Sequence, residues 1–187
     1  MKIALKNAQP LFVITGAMGG GKSTIVRQLK TLGFFCVDEP AREILKEQRA
    51  IDGAGVYDKD KRLFKELMLS RSLLRYEQMA NKQIPCFFDR GIPDNVAYAR
   101  LFELDDSADM KASEVYRYNT NVFLLPAWKD IYAIDDERTI SFEEARDFGE
   151  AVSSIYRGLG YNLIEVPFDT PSARAKFIIN RVIDILS

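Results

Sequence analysis

The stretch ITGAMGGGKST, residues 14–24, narrows the folds open to this chain more than any other. Glycines stand at 16, 19, 20 and 21, and Lys22 and Ser23 follow directly. Glycine costs backbone entropy and packs nothing, so such a cluster marks backbone that curls tightly or approaches something closely. The apolar run LFVIT precedes the cluster and the helical pattern TIVRQLKTLG follows it. Gly16, Gly21, Lys22 and Ser23 match G-x-x-x-x-G-K-[ST], a strand–loop–helix device whose backbone N–H groups point at phosphate oxygens. The expected cradle is Gly16, Ala17, Met18, Gly19, Gly20, Gly21, Lys22, Ser23 and Thr24. Lys22 is expected to face solvent, pack no core and reach the β and γ phosphates, while Ser23 offers its hydroxyl to Mg²⁺.

Composition then removes whole chemistries. The 187 residues include no histidine, which excludes Ser-His-Asp triads, histidine-bearing zinc sites and histidine general bases. Acid–base work falls to carboxylates, lysine or water. A net charge of −1 argues against nucleic acid or a membrane surface as a bulk partner. The length suits one domain, residues 1–187, with a sizeable core. Met1–Pro10 has no long apolar region, and the longest apolar runs are too short to cross a bilayer, so a cytoplasmic protein is expected. Cys36 and Cys86 sit in apolar runs and read as buried core thiols of a reducing compartment.

Short β-like runs alternate with longer helical patterns, which predicts an α/β fold around a mostly parallel five-stranded sheet in three layers. The strands are expected at Leu11–Thr15, Phe34–Val37, Cys86–Asp89, Asn121–Leu125 and Leu163–Val166. Helices are expected at Lys22–Leu32, Ala41–Gln48, Lys61–Asn81, Asp94–Leu104, Glu143–Gly158 and Ser172–Leu186. Ser141 with Glu144 reads as a capping box, and Thr170-Pro171 as a cap followed by an N1 proline. Ala50–Asp60 and Ala127–Ile140 both read as flexible loops.

Asp89 ends the apolar run CFF and is the natural aspartate to hold Mg²⁺ beside the phosphate loop. Arg90 follows where motor ATPases carry a water-polarising glutamate; it suits a transferring phosphoryl group or a structural ion pair. Asp38 and Glu39 end the second strand, the edge at which open parallel sheets bind ligands. Glu39 is placed either as a general base for an attacking hydroxyl or as an acid favoured by a helix start. Arg42 lies one turn on, within reach of an acceptor anion. In the third helix Leu63, Phe64, Leu67, Met68, Leu74 and Met79 form a buried stripe with Arg71 near its middle and Arg75 one turn beyond. Each arginine then needs an internal carboxylate or a bound anion. The charged segment at 127–140 carries Arg138, with Arg146 in the next helix, and reads as a lid that brings an arginine to the transition state or as solvated surface.

The motifs GAMGGGKST, VDEPARE, FFDRGIPDNVAYAR, VFLLPAWKDIYAIDDERTISFEEA and GYNLIEVPF, in this order, resemble a family of small P-loop proteins labelled predicted AAA-type ATPases. That family includes the ribosylnicotinamide kinase domain of the bacterial NAD-biosynthesis regulator. The resemblance spans Leu11 to the last helix and implies a nucleotide-kinase-like P-loop NTPase fold that binds ATP or GTP. Glu39-Pro40 is also similar to the end of the second strand in deoxynucleoside kinases, where the glutamate is the general base, and Asp89-Arg90 to their acid–arginine motif. DRG stands here in place of their acid–Arg–Ser. The function expected is transfer of a γ-phosphoryl group from a nucleoside triphosphate to a small hydroxyl acceptor, with slow regulatory hydrolysis as the alternative. Lys22, Glu39, Asp89, Arg90 and Arg138 are the expected catalytic set, and Asp38, Glu39, Arg42, Arg71 and Arg75 the expected acceptor contacts.

Overall fold

Leu11–Gly16 (β1) is buried along its whole length, as an apolar strand covered on both faces must be. Its period-2 alternation splits it between two apolar layers. Leu11 and Val13 face one core cluster, while Phe12 and Ile14 face the other. The computed structural model describes residues 10–132 and 140–187. The other strands are Phe35–Val37 (β2), Cys86–Asp89 (β3), Asn121–Leu125 (β4) and Asn162–Glu165 (β5). Every pairing is parallel and the spatial order is β2-β3-β1-β4-β5. β1 therefore lies at the centre, and the ends of β1, β2 and β3 open onto one edge.

Helices cover both faces of the sheet. Lys22–Thr31 (α1) and Pro171–Leu186 (α7) bury Ile25, Leu29, Ile178 and Val182 against Phe12, Phe87 and Phe123. Lys61–Ala80 (α3), Ile92–Leu101 (α4) and Phe142–Gly158 (α6) bury Phe64, Met68, Val96, Val152 and Tyr156 on the opposite face. Pro40–Ala50 (α2) packs beside α3. The expected caps form: Ser141 and Glu144 satisfy each other's backbone N–H, and Thr170 Oγ1 accepts from Ala173 N. Two of the cysteine expectations separate here. Cys86 is buried, Cys36 is only half-buried, and both are free thiols. Burial pushes the Cys36 thiol up to about 12 and that of Cys86 to about 11, so neither is a ready thiolate.

Three sequence expectations change. Residues 51–59 contain no helix or strand, yet they are tied down by a buried Val56 and by Gln48, whose Oε1 accepts from Gly55 N. Leu74 leaves the α3 stripe and is 50% exposed, and Tyr76 takes the inner position. A further helix, Ser107–Val115 (α5), was not legible because its sequence SADMKASEV has no apolar stripe. Beside Ala112 and Met110, which reach the apolar core, an ion pair docks α5: Lys65 Nζ lies 2.8 Å from Asp109 Oδ2 and also donates to Asp105 O at 2.9 Å. Both side chains are closed to solvent. Removing one partner of such a pair leaves an uncompensated buried charge. Lys65→Met is therefore expected to lower unfolding stability by about 3–5 kcal/mol. Lys65→Met with Asp109→Leu should recover most of the loss. Urea unfolding of the three proteins checks this, and a loss below about 1 kcal/mol in the single variant would mean that apolar contacts dock α5 instead.

Candidate functional site

Residues 17–21 link β1 to α1, and their geometry explains the glycines. Gly16 has φ 123°, and a Cβ there would come within 2.0 Å of the Leu125 carbonyl oxygen. No side chain fits between the end of β1 and β4. The loop is closed on its other side by Gly149 of α6, where a Cβ would sit 2.9–3.1 Å from Ala17 backbone and Cβ atoms. Helix α6 thus rests directly on the loop. Lys22 departs from expectation, being 7% exposed rather than solvent-facing. Its Nζ donates to Ala17 O at 2.6 Å and to Gly16 O at 3.3 Å, so the ammonium folds into the loop. Burial, and then the positive charge of Arg90, lower its pKa to about 7. Ser23 and Thr24 are exposed in the first turn of α1.

At the end of β3, Asp89 is 4% exposed. Its Oδ2 accepts a long hydrogen bond from Ser23 Oγ at 3.4 Å, while Oδ1 is buried without a partner. Burial, then the negative charge of Glu39, raise its carboxyl to about 6. An orphaned carboxylate oxygen beside a serine hydroxyl is what a hard divalent cation would satisfy. Mg²⁺ takes one or two protein oxygens and completes its octahedron with phosphate and water, so these residues fit it.

Arg90 stands next, held at φ 67°, a left-handed conformation that costs a residue with a side chain. Its guanidinium is turned inward. Nε donates to Glu39 Oε1 at 2.9 Å, and Nη1 to Asp94 Oδ1 at 2.9 Å and to Gly16 O at 3.2 Å. The rings of Tyr98 and Phe148 lie 5.7 and 5.4 Å from it. The contacts it makes are those of the ion-pair alternative. Burial works against its charge, but Tyr98, Glu39, Asp94 and Asp89 hold it charged well above the ordinary range.

Glu39 opens α2 without capping it, since its side chain makes no bond to the helix amides. Its Oε1 instead accepts from Arg90 Nε and, at 3.1 Å, from Tyr98 OH. Asp38 is paired at the surface with Lys30 on the rim of the same opening. Arg71 and Arg75 find carboxylates in α2: Arg71 binds Glu43 and Glu47, and Arg75 binds Glu43 and the Asp38 carbonyl. Neither carries the full uncompensated charge that an acceptor anion would seek, because the neighbouring helix supplies the counter-charge. Arg42 is exposed and borders, with Ser23, Arg27, Asp38, Glu39 and Asp89, a cavity of about 380 Å³. Arg146 is exposed and paired with Asp147 and Glu150. Arg138, and half of the segment expected as a lid (133–139 of 127–140), lie outside the described residues.

Asp94, Tyr98, Tyr156 and Thr15 escaped sequence reasoning. Asp94, fully buried, accepts from Thr15 Oγ1 at 2.6 Å, Arg90 Nη1, Gly91 N and, at 2.7 Å, Tyr156 OH. The signal for it was the spacing Arg90, Asp94, Tyr98, which repeats one helical turn at a time. Tyr156 and Thr15 gave none, because their contacts join distant parts of the chain.

Beyond the site itself, among the described residues no helix is long and apolar enough to cross a membrane. Solved structures with the same fold include a deoxyadenosine kinase from M. mycoides, with 19% identity, 92% of this chain and 98% of that one covered, and a TM-score of 0.66. The NadR protein in complex with NR matches with 16% identity over 93% of this chain and 51% of its own, TM-score 0.65. A shikimate kinase from Acinetobacter baumannii matches with 16% identity over 96% and 95%, TM-score 0.58. A nucleotide-binding protein of Myxococcus xanthus is 36% identical over 52 residues, a match that spans 28% of this chain and 18% of that relative. At these identities the structures show a shared P-loop kinase-like fold. The sequence model of the AAA domain matches residues 11–174, and the chain belongs to that family.

Proposed function

We propose that the chain is a Mg²⁺-dependent phosphotransferase that moves the γ-phosphoryl group of ATP or GTP to a hydroxyl of a small molecule. One observation carries this reading. The Glu39 carboxylate, held by Arg90 and Tyr98, borders the same cavity as Ser23 and Asp89. A base, a metal-binding pair and a phosphate loop thus meet at one opening. By their names, the kinases that share the fold act on a nucleoside or another small molecule, which agrees with this reading.

In the step proposed, Glu39 accepts the proton of the acceptor hydroxyl as its oxygen bonds to the γ-phosphorus. The bond from that phosphorus to the bridging oxygen breaks, and the nucleoside diphosphate leaves with the electron pair. Lys22 and the loop amides hold the phosphates. Asp89 Oδ1 and Ser23 Oγ would hold Mg²⁺, which supplies Lewis-acid neutralisation of phosphate charge. Arg90 acts through Glu39 and is a positioning residue. Its ion pair holds the Glu39 carboxylate in place. The acceptor opening is lined by charge rather than by rings, which favours a polar acceptor with hydroxyl groups.

Glu39→Gln keeps the size and hydrogen bonds of the side chain but removes the base. It is expected to lower acceptor-dependent turnover by at least ~100-fold and leave nucleotide affinity nearly unchanged. Steady-state rates and calorimetric titration on the same preparations check this, and a variant that turns over like the wild type would remove Glu39 from catalysis. Binding should also move protons. At pH 8 free Lys22 is mostly neutral, because its pKa of about 7 lies below the solution pH. Phosphate favours its charged form, so nucleotide binding is expected to take up about one proton there. At pH 5 the sign reverses for the Mg²⁺ complex, because Asp89, raised to about 6, must release its proton to the metal. Titrations in buffers of different ionisation enthalpy read both, and zero uptake at pH 8 would contradict the role given to Lys22.

A further inference from the structure

Arg174 lies in the first turns of α7, on the opposite side of the phosphate loop from Arg90. Only 2% of it is exposed. Nη1 donates to Gly20 O at 3.1 Å, whereas Nε and Nη2 are buried without a partner. No carboxylate among the described residues pairs with it. Its one further neighbour of note is the Trp128 ring, 5.4 Å away, which in turn stacks on Phe168 with centroids 5.0 Å apart. The contrast with Arg90 is informative. That guanidinium is equally buried but is matched by two carboxylates. Burial without a counter-charge lowers the pKa of Arg174 from its ordinary value.

A buried charge left unpaired is among the most costly features a fold can carry. The α7 cap offers no reason for it, since Thr170 and Pro171 already set that helix start. Its place does. A Cβ at Gly21 would come within 3.0 Å of Arg174 Nη1, so the guanidinium lies against the Gly20–Gly21 turn of the loop. The carbonyl it binds belongs to the same peptide as the Gly21 N–H. A cation on that oxygen polarises the peptide and strengthens its N–H as a donor.

We propose that Arg174 is a nucleotide-binding residue whose missing counter-charge is the triphosphate, acting on it across the Gly20–Gly21 peptide from behind the loop. Together with Lys22 on the inner side, it gives the cradle two cations from different elements. This inference rests on the reading of the loop as a nucleotide site. It adds that the affinity for phosphate is set partly by α7, a helix with no residue in the sequence motif.

Trp128 is the only tryptophan of the chain and stacks on this guanidinium, so its emission reports the site without any need for turnover. Wild type, Arg174→Met and Arg174→Lys are titrated with ATP, GTP, AMP and inorganic tripolyphosphate, each in the absence of acceptor. Arg174→Met is expected to weaken the bound nucleoside triphosphate and tripolyphosphate by at least ~10-fold, and AMP by less than about threefold. Arg174→Lys, which keeps the charge, should stay within about threefold of wild type. The melting temperature of ligand-free Arg174→Met should equal or exceed that of wild type, because an unpaired buried charge is gone. Unchanged triphosphate affinity in Arg174→Met would overturn the proposal. So would an equal loss for AMP and triphosphates, or a drop in ligand-free stability with all ligands weakened alike, since either makes the residue a base contact or a brace. A wild type that binds none of the triphosphates overturns the phosphate-cradle reading itself, an outcome distinct from any difference among variants.

Discussion

Arg90 brings a full positive charge into the interior, and the carboxylates of Glu39 and Asp94 stand on two sides of it at 2.9 Å. Desolvating a guanidinium and two carboxylates is costly, and their mutual attraction offsets that cost only when geometry is good and the remaining hydrogen bonds are filled. Here most of them are filled. Asp94 takes Thr15, Gly91 and Tyr156 as well, and Arg90 takes the Gly16 carbonyl. The network therefore fixes β1, β3, α4 and α6 to one another and orients the glutamate at the end of β2. Loss of any one partner would expose the others to burial without compensation. The left-handed backbone at Arg90 is tolerated because this many contacts determine it.

The two sides of the phosphate loop are built on different physics. On the α4/α6 side the loop meets a satisfied polar network and the close approach of Gly149 to Ala17. That side holds Glu39 and has little freedom to rearrange. On the α7 side it meets a guanidinium that no carboxylate among the described residues matches, and two rings packed at a tilt. Among the described residues, Asp89, with its orphaned oxygen, and Arg174, with its orphaned donors, are the two places where the protein alone leaves buried polar groups unsatisfied next to the loop. One asks for a cation and the other for an anion. A magnesium-bound triphosphate supplies both.

Much of this was legible in the chain because the signals are local. The glycines, Lys22 and Ser23 lie within one short stretch, and each strand is a continuous apolar run between turn residues. The family resemblance and the five-stranded parallel sheet follow from the same runs. What escaped depends on partners far apart in sequence. Helical spacing placed Arg71 and Arg75 on a shared face but could not say that Glu43 and Glu47 of α2 would neutralise them. α5 was missed because a buried Lys65–Asp109 pair docks it in place of an apolar stripe. Lys22 looked solvent-facing because a motif shows which residue binds phosphate, not where its side chain rests between ligands. Arg174 sits in an ordinary amphipathic helix, and only the fold brings it to Gly20.

The central claim is that a phosphoryl group leaves a nucleotide here for a hydroxyl other than that of water. Incubating the protein and Mg²⁺ with γ-labelled ATP or GTP and a panel of small polyhydroxy compounds, nucleosides included, tests it most directly. The account predicts label on at least one acceptor, nucleotide consumption that rises with the concentration of that acceptor, and little inorganic phosphate without it. Label found only in inorganic phosphate, released at the same rate whether or not an acceptor is present, would contradict it and make the chain a hydrolase.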